Sequence, residues 1–163
     1  MLSSESLTKI DRAIAKYPPE QKRSAVMAAL TIAQDEHGHL NPQLMDFVAE
    51  YLEMPPIAVY EVASFYEMYD LEPPGSHKSA RYKLCICTNL PCALSGASEA
   101  AEHLKRKLGV EWDELTADGR FKLKEGECFG ACGDAPVMLV NNKTMLIGMT
   151  PKKLDKWIEE LDK

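Results

Sequence analysis

Apolar residues recur at spacings of three and four through the first part of the chain, the period of a helix with one buried face. Leu7, Ile10, Ile14 and Tyr17 form one such stripe, closed by Pro18-Pro19. Val26, Ala29, Leu30 and Ala33 form a second, stopping near Gly38, a residue suited to the left-handed conformation past a helix end. Asn41-Pro42 predicts a new start, with Asn as cap and Pro at the first helical position, where the missing amide had no partner. Leu44, Phe47, Val48, Tyr51 and Leu52 then share a face. Pro55-Pro56 ends that helix. Ile57, Tyr60, Ser64, Phe65 and Met68 predict a fourth, shorter one before Pro73-Pro74-Gly75-Ser76 breaks the pattern.

Beyond that break the period shortens to alternation. Residues 81–87 (R-Y-K-L-C-I-C) predict a strand leading into a cysteine loop. A helix follows with Ala97, Ala100, Ala101, Leu104 and Leu108 on its apolar face, Glu102 and Arg106 paired outside, and Gly109 as its stop. Residues 121–124 predict a strand, and 136–141 with 143–147 a hairpin turning at Asn141-Asn142. The final helix starts at Thr150-Pro151 and carries Leu154, Trp157, Ile158 and Leu161. Two domains are therefore expected: a helical one over 1–76, suited to docking a partner, and a mixed one over 77–163 of order β-α-β-β-β-α. That order is compatible with a thioredoxin-like α/β fold, and other topologies stay open on element order alone.

The 163 residues are 45% hydrophobic, enough for a real core, and the formal net charge of −6 argues against a broad footprint for nucleic acid or anionic lipid. A protein partner or small redox species suits the charge better. No apolar run of bilayer length occurs, so no direct membrane insertion is expected, and Met-Leu-Ser-Ser-Glu lacks the character of a signal peptide. A cytoplasmic setting follows as the expectation. There, five cysteines point to metal or redox chemistry rather than to a disulfide framework.

Four of them lie in two loops. C-T-N-L-P-C contains Cys87 and Cys92, and C-F-G-A-C-G-D-A-P contains Cys128 and Cys132. A 2Fe-2S cluster needs four thiolates, two per iron, which two facing loops supply. Zinc knuckles and thiol-disulfide oxidoreductases favour C-x-x-C, which is absent here. Gly130 and Gly133 let the backbone turn so that N–H groups approach sulfur. A zinc-stapled interaction module, or buried free thiols, is the alternative for the same four residues. Cys85 shares a strand face with Cys87 and reads as a small apolar core residue. Asp134 reads as turn chemistry, and His37, His39, His77 and His103 lack ligand spacing. The aromatics Tyr60, Phe65, Tyr66 and Tyr69 exceed what one helix face buries, leaving some for a partner. Lys152, Lys153 and Lys156 with Glu159 and Glu160 read as a solvated face.

C-T-N-L-P-C-A-L-S-G, E-C-F-G-A-C-G-D-A-P-V-M-L-V-N and the N-terminal I-A-V-Y-E-V-A-S-F-Y-E-M-Y resemble the E-subunit family of NADH-quinone oxidoreductase, respiratory complex I. The resemblance implies an α+β chain, an N-terminal helical bundle followed by a thioredoxin-like α/β ferredoxin domain. It implies one 2Fe-2S cluster ligated by Cys87, Cys92, Cys128 and Cys132, in an electron carrier without its own catalytic site. FMN and NADH would sit on the adjacent flavoprotein, the NADH-binding subunit, whose FMN exchanges single electrons with the cluster. Other peripheral-arm subunits would hold the chain at the inner face of the cell membrane. Related subunits of NAD-dependent formate dehydrogenases and multimeric hydrogenases share these motifs. The absence of G-x-G-x-x-G and P-loop patterns agrees with nucleotide binding elsewhere.

Overall fold

In the computed structural model, which describes residues 1–73 and 80–161, the helical period and its stop signals become α1 (Ser4–Ile14), α2 (Val26–His37), α3 (Pro42–Tyr51) and α4 (Pro56–Phe65). The Ser3 hydroxyl caps α1 by accepting from Ser6 N, and a 3-10 segment Pro19–Ala25 joins it to α2. Gly38 ends α2 in the left-handed region at φ 79°. Asn41 caps α3 through a 2.8 Å bond from Leu44 N. That bond satisfies an otherwise orphaned amide, so Asn41→Ala is expected to cost about 1 kcal/mol of helical-unit stability. Urea melts read by circular dichroism check it, and an unchanged midpoint would contradict it.

The helical core gathers Ile10, Leu30, Leu40, Val48, Leu52 and Val59, all nearly sealed from solvent. Beyond α4 the chain is tied back to α2: Gln34 Nε2 donates to Met68 O at 2.9 Å and its Oε1 accepts from Asp70 N at 2.6 Å. Tyr69 is buried, with its hydroxyl donating to Met27 O at 2.9 Å. The face expected of α4 is corrected. Val59 and Ala63 point inward, while Ile57 is 67% and Phe65 77% exposed. This helix is apolar on every side, so spacing cannot select its buried face. Tyr17 likewise lies beyond α1 and is exposed.

Contacts divide the chain into two compact units, Met1–Ser76 and His77–Lys163. The expected break at Pro74-Gly75-Ser76, and His77, lie outside the described residues. In the second unit β1 (Tyr82–Cys87), β2 (Phe121–Gly126), β3 (Met138–Val140) and β4 (Thr144–Leu146) form one sheet in the order β2-β1-β3-β4. β1 runs parallel to β2 and antiparallel to β3. A short helix, α5 (Leu90–Leu94), lies inside the first cysteine loop, where no helix was expected. Leu84, Ile86, Phe121, Leu123, Met138 and Val140 are buried with Ala100, Ala101 and Leu104 of α6 (Ala97–Leu108) and Leu154 and Ile158 of α7 (Pro151–Glu160). Deleting such a side chain costs roughly 2–5 kcal/mol, which ranks these above any surface pair. The hairpin turns at Asn141 and Asn142, both left-handed. Thr150 occupies the cap position of α7 with extended backbone but no side-chain bond to it. Among the described residues no helix is long and apolar enough to cross a membrane.

Candidate metal centre

The parallel pairing of β1 and β2 decides where the cysteines go. Parallel strands end side by side, and here Cys87 is in register with Gly126 at their C-terminal ends. The loop after β1 and the loop after β2 therefore emerge next to one another. β3 starts at that same end because it runs the other way, and Cys87 N donates to Val137 O at 3.1 Å. Thr88 N extends the ladder to Gly126 O at 3.2 Å.

The loops are fastened by their polar residues. Thr88 Oγ1 donates to Glu125 Oε1 at 2.7 Å, and Asn89 Nδ2 donates to Glu127 Oε2 at 2.9 Å, across the two loop bases. The helical turn of α5 carries Cys92 inward, and Gly96, left-handed at φ 96°, starts α6 directly afterwards. Cys87 and Cys92 are 2% and 1% exposed, packed with Ala97 and Val137. Cys128 and Cys132 are exposed, Cys132 opening a 3-10 turn that ends at Asp134. None of the five cysteines forms a disulfide.

Within each pair the sulfurs perturb one another, Cys87 raising the Cys92 thiol and Cys128 the Cys132 thiol. Among the described residues no three His, Cys, Asp or Glu side chains are grouped closely enough to hold a metal ion. Gly130 N donates to Cys128 Sγ at 3.3 Å, and the Val137 backbone bonds Cys92. The two loops that carry the four thiols thus emerge side by side at one end of the sheet.

The thioredoxin-like [2Fe-2S] ferredoxin family model matches residues 10–162. The chain belongs to this family. The NADH-quinone oxidoreductase E-subunit of Rickettsia bellii (strain RML369-C) is 39% identical over 158 residues, 96% of this chain and 91% of that one. NADH-quinone oxidoreductase E-subunit 2 of Rhizobium meliloti (strain 1021) is 44% identical over 133 residues, 82% of this chain and 75% of its own. A solved NAD+-reducing [NiFe]-hydrogenase in the H2-reduced state superposes on 82% of this chain with a TM-score of 0.66 at 21% identity, a likeness of fold. This chain spans 22% of that hydrogenase chain. The family's cofactor is a single 2Fe-2S cluster.

In the ferredoxin unit, burial pushes the Cys92 thiol above its ordinary range and the Cys87 sulfur adds to it, while the Val137 backbone bond opposes both. Cys132 moves the same way. Desolvation of its sulfur leads, although the residue as a whole is exposed, followed by Cys128 and then Cys87. A raised thiol keeps its proton in the fold at a pH where the unfolded chain has lost it. The apo-protein is then fully stabilised below the ordinary thiol range near ~8.5 and loses stability as pH rises above it. Its urea midpoint is expected to fall between pH 7.5 and pH 9.5 by more than that of a Cys92→Ala apo-protein; equal falls would contradict the assignment. Metal loading has the opposite sign, because ligation needs thiolates and releases their protons.

Cys85 departs from its expected core role. It is half-buried at the sheet end, its sulfur against Gly126. His103 bonds Asp155 at 2.8 Å between α6 and α7, and Lys107 reaches the same carboxylate at 2.7 Å. The hydrogen bonds from Lys107 and His103 hold the Asp155 carboxyl below its usual range, with the Lys107 bond leading. This cluster lies on helices away from the cysteine loops. Sequence reading missed α5's outward face: Leu90 and Leu94, four apart, are 70% and 80% exposed. Their spacing was visible, but the helix that aligns them was not.

Proposed function

We propose that Cys87, Cys92, Cys128 and Cys132 hold the 2Fe-2S cluster, and that this chain is the electron-transfer subunit of a NADH:quinone oxidoreductase. The observation that supports the reading is the emergence of both cysteine loops side by side at the parallel strand ends, with their bases fastened to one another. Four soft thiols in two pairs are the donor set that two bridged irons require, so the residues present fit the group. When bound, such a cluster takes up and returns one electron at a time.

The chain's own residues set the conditions for that exchange. Cys87 and Cys92 bring one side of the site out of water, whereas the exposed Cys128 and Cys132 leave the other side near the surface. The Gly130 amide favours added negative charge at sulfur, and the exposed Glu125, Glu127 and Asp134 oppose it. An electron therefore has a short route out through the exposed edge. Leu90 and Leu94, on the first cysteine loop, offer an exposed apolar surface suited to a protein partner.

That partner, in this reading, is the flavoprotein subunit that binds FMN and NADH and exchanges single electrons with the cluster. The helical unit over 1–76 serves docking within the peripheral arm, offering Ile57 and the edge-to-face pair Phe65 and Tyr66, whose ring centroids are 5.0 Å apart. The complex then holds the chain at the inner face of the cell membrane. Quinone reductase is favoured as host because relatives bearing that name align with this chain over most of their length. A coulometric titration of the purified protein tests the carrier role. Uptake of one electron per chain is expected; no uptake by a colourless protein that contains zinc would overturn it.

A further inference from the structure

The last residue of β2 has no room for a side chain. A Cβ built on Gly126 would lie 2.5 Å from Phe129 Cζ, 2.9 Å from Cys85 Sγ and 3.1 Å from Ile86 O. Carbon atoms in good contact sit about 3.5–4.0 Å apart, so an added methyl would overlap the Phe129 ring most severely, touch the Cys85 sulfur too closely and press lightly on the Ile86 carbonyl. The backbone itself does not demand glycine, because Gly126 is not among the positive-φ residues. The demand comes from its neighbours.

Those neighbours differ in what they can do. Cys85 and Ile86 belong to β1, which is laddered to β2 along its whole length and to β3 on its other side. Phe129 belongs to the loop C-F-G-A-C, between Cys128 and Gly130, and is half-buried while both loop cysteines are exposed. Its ring rests on the bare Cα of Gly126 and packs with the group that contains Cys87 and Cys92. A displaced ring would carry with it the backbone that bears Cys128 and the Gly130 amide bonded to the Cys128 sulfur.

We propose that Gly126 and Phe129 form a positioning contact that sets how the Cys128–Cys132 loop stands over the sheet end, and thereby tunes the cluster. The proposal rests on the reading of the four cysteines as ligands. Neither residue touches iron; each acts through the loop that presents the second sulfur pair. Moving that loop changes both the separation of the pairs and the amide donated to Cys128, and hydrogen bonding at sulfur is a main lever on the potential of such clusters.

The experiment compares the holoprotein with Gly126→Ala, Phe129→Leu and the double variant, through the g-values of the reduced cluster, its midpoint potential and the rate of iron release to a chelator. Gly126→Ala is expected to shift g-values and potential and to release iron roughly tenfold faster, the rate equivalent of an ordinary overpacking cost. The double variant, which lacks the colliding Cζ, is expected to return toward the wild-type spectrum and rate. A merely structural role would change melting without this recovery. Wild-type values in Gly126→Ala, or a double variant as altered as Gly126→Ala alone, would overturn the proposal. If Gly126→Ala fails to fold, a folded, cluster-bearing double variant supports the contact and an unfolded one refutes it. A wild-type protein without iron and sulfide would instead defeat the ligand reading beneath it.

Discussion

Cys92→Ser is expected to yield a protein with little or no bound iron, the largest effect of any single substitution in the chain. Serine supplies a harder oxygen whose proton is held far more tightly than a thiol's, so it ligates iron poorly near neutral pH. At this position nothing compensates. Cys92 is 1% exposed, fixed by the turn of α5 and packed with Cys87, Ala97 and Val137. Water therefore cannot fill the vacated coordination position easily. Losing only a supporting hydrogen bond typically costs metal affinity roughly 10–100-fold, and losing a buried ligand should exceed that. Cys132→Ser is expected to be milder, because that residue is exposed and a solvated serine can adapt. Cys85→Ser should keep full iron. Iron and acid-labile sulfide analysis of the three proteins checks the order, and full iron in Cys92→Ser would contradict the ligand assignment.

The second large effect concerns docking. Replacing Leu90 and Leu94 together by aspartate is expected to weaken binding to the proposed flavoprotein partner by about a thousandfold, with each residue an interface anchor worth about 2 kcal/mol. Both side chains stand in solvent on the outer face of α5, so the core loses nothing when they change. Their neighbours Glu125 and Glu127 make the rim acidic, and two more carboxylates would be stranded against any apolar partner surface. Titration of the holoprotein against the purified flavoprotein subunit measures the loss, with the cluster's absorption confirming that the site is intact. Unchanged affinity would place the docking surface elsewhere, the exposed face of α4 being the next candidate.

Much of the fold is legible where local chemistry decides it. Gly38, Asn41-Pro42 and Thr150-Pro151 each mark a helix end through a backbone requirement that no distant contact can alter, and each marks a real boundary. The buried face of α4 was not legible, since Ile57, Val59, Tyr60, Val62 and Phe65 surround the helix and only tertiary packing chooses Val59 and Ala63. The cysteine motifs were plain in the chain. What brings their loops together is the parallel pairing of β1 with β2, a contact across residues 88–120 that spacing does not encode. Phe129 on Gly126 was hidden for a related reason: the loop's glycines and cysteines carry its reading, and its one large side chain has meaning only once the strand end beneath it is placed. The pairing of His103 with Asp155 is likewise not legible in the chain, because the two lie on different helices.

The central claim is that two pairs of thiols at the end of a parallel strand pair hold one two-iron cluster. Electron paramagnetic resonance of the dithionite-reduced holoprotein at low temperature tests it most directly, since one electron shared by two coupled irons leaves a single unpaired spin. An S = 1/2 signal integrating to one spin per chain, and lost in Cys92→Ser, is the result expected. A silent spectrum from protein of full iron content, or the same signal in Cys92→Ser, would contradict it.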